Sequence, residues 1–141
     1  MGVKHVYFTG YTPYPLTPND DRLPHISRKL SQQVAKTALG ADKLVPWSHS
    51  ADIRKLLTKL QKDGHAIIGL EQAPNSISLP EWTPPDKIAI LLGREVDGIE
   101  ENLLTMCDSI VEIPQFGVKE SLNVVQAAAV MLYHVRFAPF A

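Results

Sequence analysis

Lys87–Phe137 reads KIAILLGREVDGIEENLLTMCDSIVEIPQFGVKESLNVVQAAAVMLYHVRF. Ile88–Leu92 is an unbroken apolar run of strand length that enters the turn GREVDG of Gly93–Gly98 and then a short helix with acidic residues at its front. Ser109–Ile113 reads as a second strand, stopped by Pro114, and the polar loop after it leads into a helix over Leu122–Phe137. Two strands separated by a helix require a crossover and a parallel pairing. In open α/β folds, ligands sit at the carboxyl ends of such strands.

The last helix is apolar nearly all round, from Leu122 and Val124 through Met131 to Val135. A helix packed on one side only shows a polar stripe. This one is expected to meet the sheet on one side and a second copy of the chain on the other, since two-fold dimers are the commonest oligomers. Deep burial within the monomer is the alternative.

Working back toward the start, His65–Leu70 (HAIIGL) is a buried strand. Lys43–Trp47 (KLVPW) is a short one, placed at an edge or strand end by Pro46, and His5–Thr9 (HVYFT) is aromatic and β-branched. Gly10–Pro24 holds four prolines and two aspartates and reads as loop. Ile26, Leu30, Val34 and Ala38 recur at helical spacing over Ile26–Leu39, with Gly40 as the C-terminal cap. Ser50 is expected to cap a helix carrying Ile53, Leu56, Leu57 and Leu60 on one face and ending at Gly64, and Glu71–Pro85 reads as loop. This order predicts an α/β fold: a mostly parallel sheet with helices on both faces.

A chain of 141 residues, 45% hydrophobic, suffices for one domain over 1–141 with its own core and is short for two. The net charge of −1 carries no global basic signature, so nucleic-acid contact has to rest on a local patch. Cys107 is the single cysteine, which rules out an intrachain disulfide and a multi-cysteine zinc site and suits a reducing cytoplasm. No apolar run reaches the ~18 residues of a membrane span, and MGVKHVYFTG lacks the apolar core of a secretory signal. Neither a membrane nor a metal is expected as a partner.

Glycine at 93 removes the Cβ where the chain leaves a strand, so that backbone groups can approach a flat ligand closely. Taken alone, GxExxG is also satisfied by two plain turn residues. Neither GxxxxGK[ST] nor GxGxxG occurs. Lys119, Glu120, Ser121 and Asn123 stand where the last helix begins; Ser121 suits its N-cap, and free N–H groups there suit a carboxylate or phosphate. Arg22, His25, Arg28, Lys29 and Lys36 gather around the first helix, as a solvated face or as a phosphate-contacting patch.

LLGREVDGIEENLL (Leu91–Leu104), followed by VEIPQFGVKESLNVVQAAAVMLYHV (Val111–Val135), resembles the second and third motifs of the SpoU (TrmH-type) branch of the SPOUT RNA methyltransferases. KTALGADKLVPW (Lys36–Trp47) is similar to the small members of that family. The resemblance implies a SPOUT-like α/β fold with a C-terminal trefoil knot, a homodimer through the C-terminal helix, S-adenosylmethionine as cofactor and ribose 2′-O-methylation of tRNA or rRNA. Carried over by position, it implies a cofactor pocket lined by Leu70, Gly93, Val96, Gly98, Ile99, Ile113, Pro114, Ser121, Leu122 and Asn123. Glu95 and Asn123 are the catalytic candidates, Glu95 either facing substrate or fixing its loop. Arg22, Arg28, Lys29 and Lys36 become the expected RNA contacts.

The family's first motif, an Asn followed by an Arg, lies upstream of the strand that corresponds to His5–Thr9, and this sequence begins after that point. In the family that arginine is favoured for activating the ribose 2′-hydroxyl, which methyl transfer needs deprotonated or nearly so. Arg22, Arg28 and Arg94 stand elsewhere. Two expectations therefore stand side by side: an RNA 2′-O-methyltransferase, and a non-catalytic knotted dimer that binds cofactor or RNA as a scaffold.

Overall fold

In the computed structural model, which describes residues 1–117 and 121–138, strands and helices alternate as the apolar patterning requires. The order is β1 (Val6–Thr9), α1 (Pro24–Ala38), α2 (Ala41–Leu44), β2 (Trp47–Ser50), α3 (Ile53–Lys62), β3 (Ala66–Leu70), β4 (Ile77–Ser78), β5 (Ile88–Leu92), α4 (Glu101–Leu104), β6 (Ser109–Glu112) and α5 (Val124–Phe137). A 3-10 turn, Leu79–Glu81, follows β4 within the stretch expected to be loop. The residues divide into two compact units, Gly2–Ile53 and a second made of Met1 with the chain from Arg54 onward.

In the first unit, β1 and β2 pair in parallel, with Val6 opposite Trp47 and Thr9 opposite Ser50. They pair with each other alone among the described residues, so the one expected sheet is two. Alternation identifies a strand without identifying its neighbour. The strand expected at Lys43–Trp47 is also corrected. Ala41–Leu44 is a short helix, the Pro46 carbonyl accepts from the Val6 amide at 2.9 Å, and the ladder begins one residue later at Trp47. Proline has no N–H to give a ladder, so it stands at the strand's entrance.

Pro24 opens α1, where its fixed φ is already helical and its missing N–H costs nothing. At the other end the C-cap is Leu39, left-handed at φ 49°, and Gly40, left-handed as well at φ 92°, is the N-cap of α2. Ser50 does not cap α3: it closes β2, and its hydroxyl donates to the Asp52 carbonyl at 3.2 Å before the helix begins at Ile53.

The proline-rich loop ahead of α1 is held by Arg22. Its guanidinium donates to both Asp20 oxygens at 2.7 and 2.5 Å and to the carbonyls of Tyr14 and Pro15, both at 3.0 Å. It also lies 3.7 Å above the Tyr14 ring, whose other neighbour is His49, stacked at 3.9 Å. The Arg22 hydrogen bonds, helped by the Thr17 and Arg22 amides, hold the Asp20 carboxyl well below the usual carboxylate range. A depressed folded pKa adds stability that is complete above the unfolded value of about 4 and is lost as pH falls toward the folded one. Asp20→Asn is therefore expected to lower the melting temperature at pH 7 and to matter progressively less below about pH 4. An equal loss at pH 7 and at strongly acid pH would mean that the carboxylate charge is not what holds the loop.

In the second unit four strands form an all-parallel sheet in the order β4-β6-β3-β5. Ile68, Leu79, Trp82, Val111 and Met131 make the core, with Ala66, Leu70, Ile88, Ile90, Ile113 and Val135 packed against it. Each fully buried aliphatic side chain there contributes roughly 1.5–3 kcal/mol. The sheet's entrance is fixed by Asp108, whose carboxylate accepts from the Ile67 amide at 2.7 Å while its own amide donates to the Ile67 carbonyl at 2.8 Å. Met131 seats α5 on the core with no exposure, and the His134 ring bonds the Trp82 carbonyl at 2.8 Å. The rest of α5 is less covered than its composition suggests, with Val125, Val130, Tyr133 and Phe137 exposed.

Candidate functional site

The register places three strand ends side by side. Leu70 of β3 lies opposite Leu92 of β5 on one side and Val111 of β6 on the other. Leu70, Gly93 and Ile113 therefore stand at or just past the carboxyl ends of three neighbouring strands, the place where a parallel sheet binds ligands. The Glu71 amide continues the ladder by donating to the Val111 carbonyl at 3.0 Å.

The loop after β5 is closed on itself. Arg94 and Gly98 exchange both backbone hydrogen bonds, at 3.1 and 3.0 Å, and the Arg94 guanidinium lies 3.3 Å from the Asp97 carboxylate. Gly93 is the reason this closure is possible: a Cβ there would fall 2.3 Å from the Gly98 carbonyl carbon and 2.5 Å from the Ile99 nitrogen. The close approach that glycine permits at this position is to the loop's own backbone. Gly98 has φ +65°, and a Cβ on it would lie 2.3 Å from a Glu71 carboxylate oxygen.

At the tip of this loop Glu95 is exposed and Val96 is 93% exposed, while Ile99 is buried. Ile113 and Pro114 are half-buried at the end of β6. Leu92, Val96, Phe116 and Leu122 are all exposed, so large apolar side chains gather on the segments that leave β5 and β6. Ser121 and Leu122 are exposed ahead of α5. The N-cap is Asn123, whose side-chain oxygen accepts from the Val125 amide at 2.9 Å, in place of the expected Ser121. Lys119 and Glu120 lie outside the described residues.

Of the expected RNA-contacting residues, Arg28, Lys29 and Lys36 are exposed on α1, whereas Arg22 is committed to the loop it holds. Sequence reasoning missed two features. One is a basic face on α3, where Arg54, Lys55, Lys59 and Lys62 line a surface depression with Thr58; its signal was four cations in IRKLLTKLQK with no acid among them. The other is Glu71, a carboxylate placed directly after a buried strand, which accepts from the Ile99 amide at 2.8 Å and from the Gln72 amide at 3.0 Å. Burial, then the neighbouring Asp108 charge, push the Cys107 thiol up and away from the reactive thiolate. Among the described residues no three His, Cys, Asp or Glu side chains are placed to hold a metal, and no helix is long and apolar enough to cross a membrane.

Residues 23–133 match the profile of the SpoU rRNA Methylase family. The chain is 37% identical over 111 residues to the tRNA (guanosine(18)-2'-O)-methyltransferase of Saccharomyces cerevisiae, a match covering 77% of this chain and 8% of that protein. It is 34% identical over 110 residues to the 23S rRNA (guanosine-2'-O-)-methyltransferase RlmB of Neisseria meningitidis, covering 78% of this chain and 44% of the relative. The chain thus spans less than half the length of either relative. Its backbone superposes on the AdoMet-bound rRNA methyltransferase of Sinorhizobium meliloti with a TM-score of 0.73 at 17% identity, over 98% of this chain and 47% of the other.

Proposed function

The chain belongs to the SpoU rRNA Methylase family, and from that premise we propose that it is an S-adenosylmethionine-dependent RNA 2′-O-methyltransferase that acts on a ribose of tRNA or rRNA in the cytoplasm. One observation supports this reading above the others: the two family motifs leave the ends of β5 and β6, which flank the end of β3 rather than pairing with each other, with the Gly93–Ile99 loop folded tightly enough to present its backbone and with exposed apolar side chains beside it. A site of that kind suits a cofactor with a flat base and an apolar chain, recognised by main-chain groups and shielded by apolar walls. The residues fit the group. Leu70, Gly93, Val96, Gly98, Ile99, Ile113, Pro114, Ser121, Leu122 and Asn123 would hold it, and when bound it supplies an activated methyl group.

The protein's own part is to place the ribose hydroxyl in line with that methyl and keep water out. Glu95, exposed at the loop tip, and the amide nitrogen of Asn123, whose oxygen is already used as a cap, are the side chains proposed to meet the substrate. Arg28, Lys29 and Lys36 on α1 and the basic face of α3 are proposed to meet RNA phosphates. The names of the yeast and Neisseria relatives, both guanosine 2′-O-methyltransferases acting on RNA, support this substrate class.

The reading includes a single domain over 1–141, a C-terminal trefoil knot and a homodimer through α5. The strand order supports the knot, because β6 inserts between β3 and the β4 that follows it in sequence. The uncovered apolar side chains of α5 support the dimer.

Calorimetric titration of S-adenosylmethionine, and of its demethylated product, tests the cofactor assignment; saturable binding is expected, and a folded chain that binds neither would end it. For RNA, Arg28→Glu with Lys36→Glu is expected to weaken tRNA binding and to flatten its dependence on salt, since each neutralised phosphate contributes to that slope. An unchanged slope would remove α1 from the interface.

A further inference from the structure

We infer that Glu71 is a positioning residue for the cofactor loop, holding the backbone of Gly98 and Ile99 in place from the end of the neighbouring strand; the inference rests on the functional reading above. The two carboxylate oxygens are divided between two backbone donors. One accepts from Gln72, its own neighbour, at 3.0 Å, which folds the side chain back over the end of β3. The other accepts from Ile99, 28 positions further along, at 2.8 Å. A hydrogen bond to an ionised acceptor is stronger and shorter than a neutral one. The pair of bonds thus ties the loop after β5 to the strand beside it.

Gly98 is cut to fit this arrangement. Any Cβ on it would sit 2.3 Å from the Glu71 oxygen, so the absence of a side chain is what admits the carboxylate. Its φ of +65° belongs to the left-handed region that glycine occupies without strain. The reciprocal Arg94–Gly98 bonds close the loop on itself but do not fix where the closed loop lies against the sheet. That placement comes from the β5 stem, the buried Ile99 side chain and the Glu71 carboxylate. Of these, the carboxylate is the one that acts on the backbone at the far end of the loop.

The test measures cofactor affinity and amide hydrogen exchange in parallel on Glu71→Ala, Glu71→Gln, Gly98→Ala and the double variant Glu71→Ala with Gly98→Ala. Glu71→Ala is expected to weaken S-adenosylmethionine binding roughly tenfold or more, the scale of a lost hydrogen bond to a charged group, and to speed exchange at Ile99 while the melting temperature stays near that of the parent. Glu71→Gln keeps an oxygen acceptor without the charge and is expected to fall between. It also stands in should Glu71→Ala fail to fold. Gly98→Ala is expected to cost less in the Glu71→Ala background than in the parent, because its clash partner is gone.

Parent-like affinity and exchange in a folded Glu71→Ala variant would overturn the inference alone, leaving the cofactor assignment standing. A loss of melting temperature without a change in affinity would reduce Glu71 to a structural tie and overturn it too. No cofactor binding by the parent chain would overturn the functional reading and, with it, this one.

Discussion

Gly93→Ala is expected to weaken S-adenosylmethionine binding roughly tenfold or more, the scale of main-chain hydrogen bonds lost when the loop that would make them is displaced. The backbone of Gly93 does not itself demand glycine, since its φ is not among the positive values. The conflict is steric. An alanine Cβ would lie 2.3, 2.5 and 2.7 Å from the Gly98 carbonyl carbon, the Ile99 nitrogen and the Gly98 Cα. All three are main-chain atoms, so no side-chain rotation relieves the contact. The opposing backbone is held by the Arg94–Gly98 pair of bonds and by Glu71. The variant therefore either opens the loop or shifts the end of β5. Overpacking of this kind typically costs ~1–3 kcal/mol of stability, so the chain is expected to remain folded with a lower melting temperature. Equal affinity in Gly93→Ala and the parent would show that the loop's closure has no bearing on the cofactor.

Much of the architecture is legible in the sequence where a local pattern suffices. Ile88–Leu92 is an apolar run with a glycine at its end, and it forms β5 with those bounds. Leu57 and Leu60 on one face of α3 are buried as the helical spacing requires. Reading fails where the deciding partner is distant in sequence. β1 and β2 have strand composition, yet nothing in either says that they pair with each other, apart from the other four.

The candidate site divides in the same way. Gly93 and Gly98 stand out in the sequence because glycine has a local meaning, whereas Glu71 looks like one loop acid among several until its bond to the Ile99 amide, 2.8 Å long, is seen. Arg22 is the converse. Its charge suggests a free phosphate contact, and only the fold shows that Asp20, Tyr14 and Pro15 already occupy it. Ser121 and Asn123 both suit an N-cap by type. The choice of Asn123 follows from where α5 begins, at Val124.

The second large effect is expected at α5. Val125, Tyr133 and Phe137 are 72%, 62% and 65% exposed, and their spacing in multiples of four places them along one stripe of the helix. The Tyr133 and Phe137 rings lie 4.8 Å apart at 46°, in contact with each other. Such a stripe gains about 25 cal/mol for every Å² removed from water, and a second copy meeting it across a two-fold axis covers both stripes at once. The parent chain is accordingly expected to sediment as a dimer, and Tyr133→Glu with Phe137→Glu as a monomer, because like charges would face one another across the axis. Helical content is expected to persist in the monomer, since Met131, the residue that seats α5 on the core, is untouched. Met131→Ala has the opposite signature, a loss of roughly 2–5 kcal/mol of stability from the cavity it leaves. The third motif runs directly into α5 through the Asn123 cap, so ordering the helix at an interface also orders the segment proposed to hold the cofactor. Weaker S-adenosylmethionine binding by the folded monomer is the expected consequence. A parent chain that sediments as a monomer, or a double variant that stays dimeric, would place the self-association surface somewhere other than α5 or remove it.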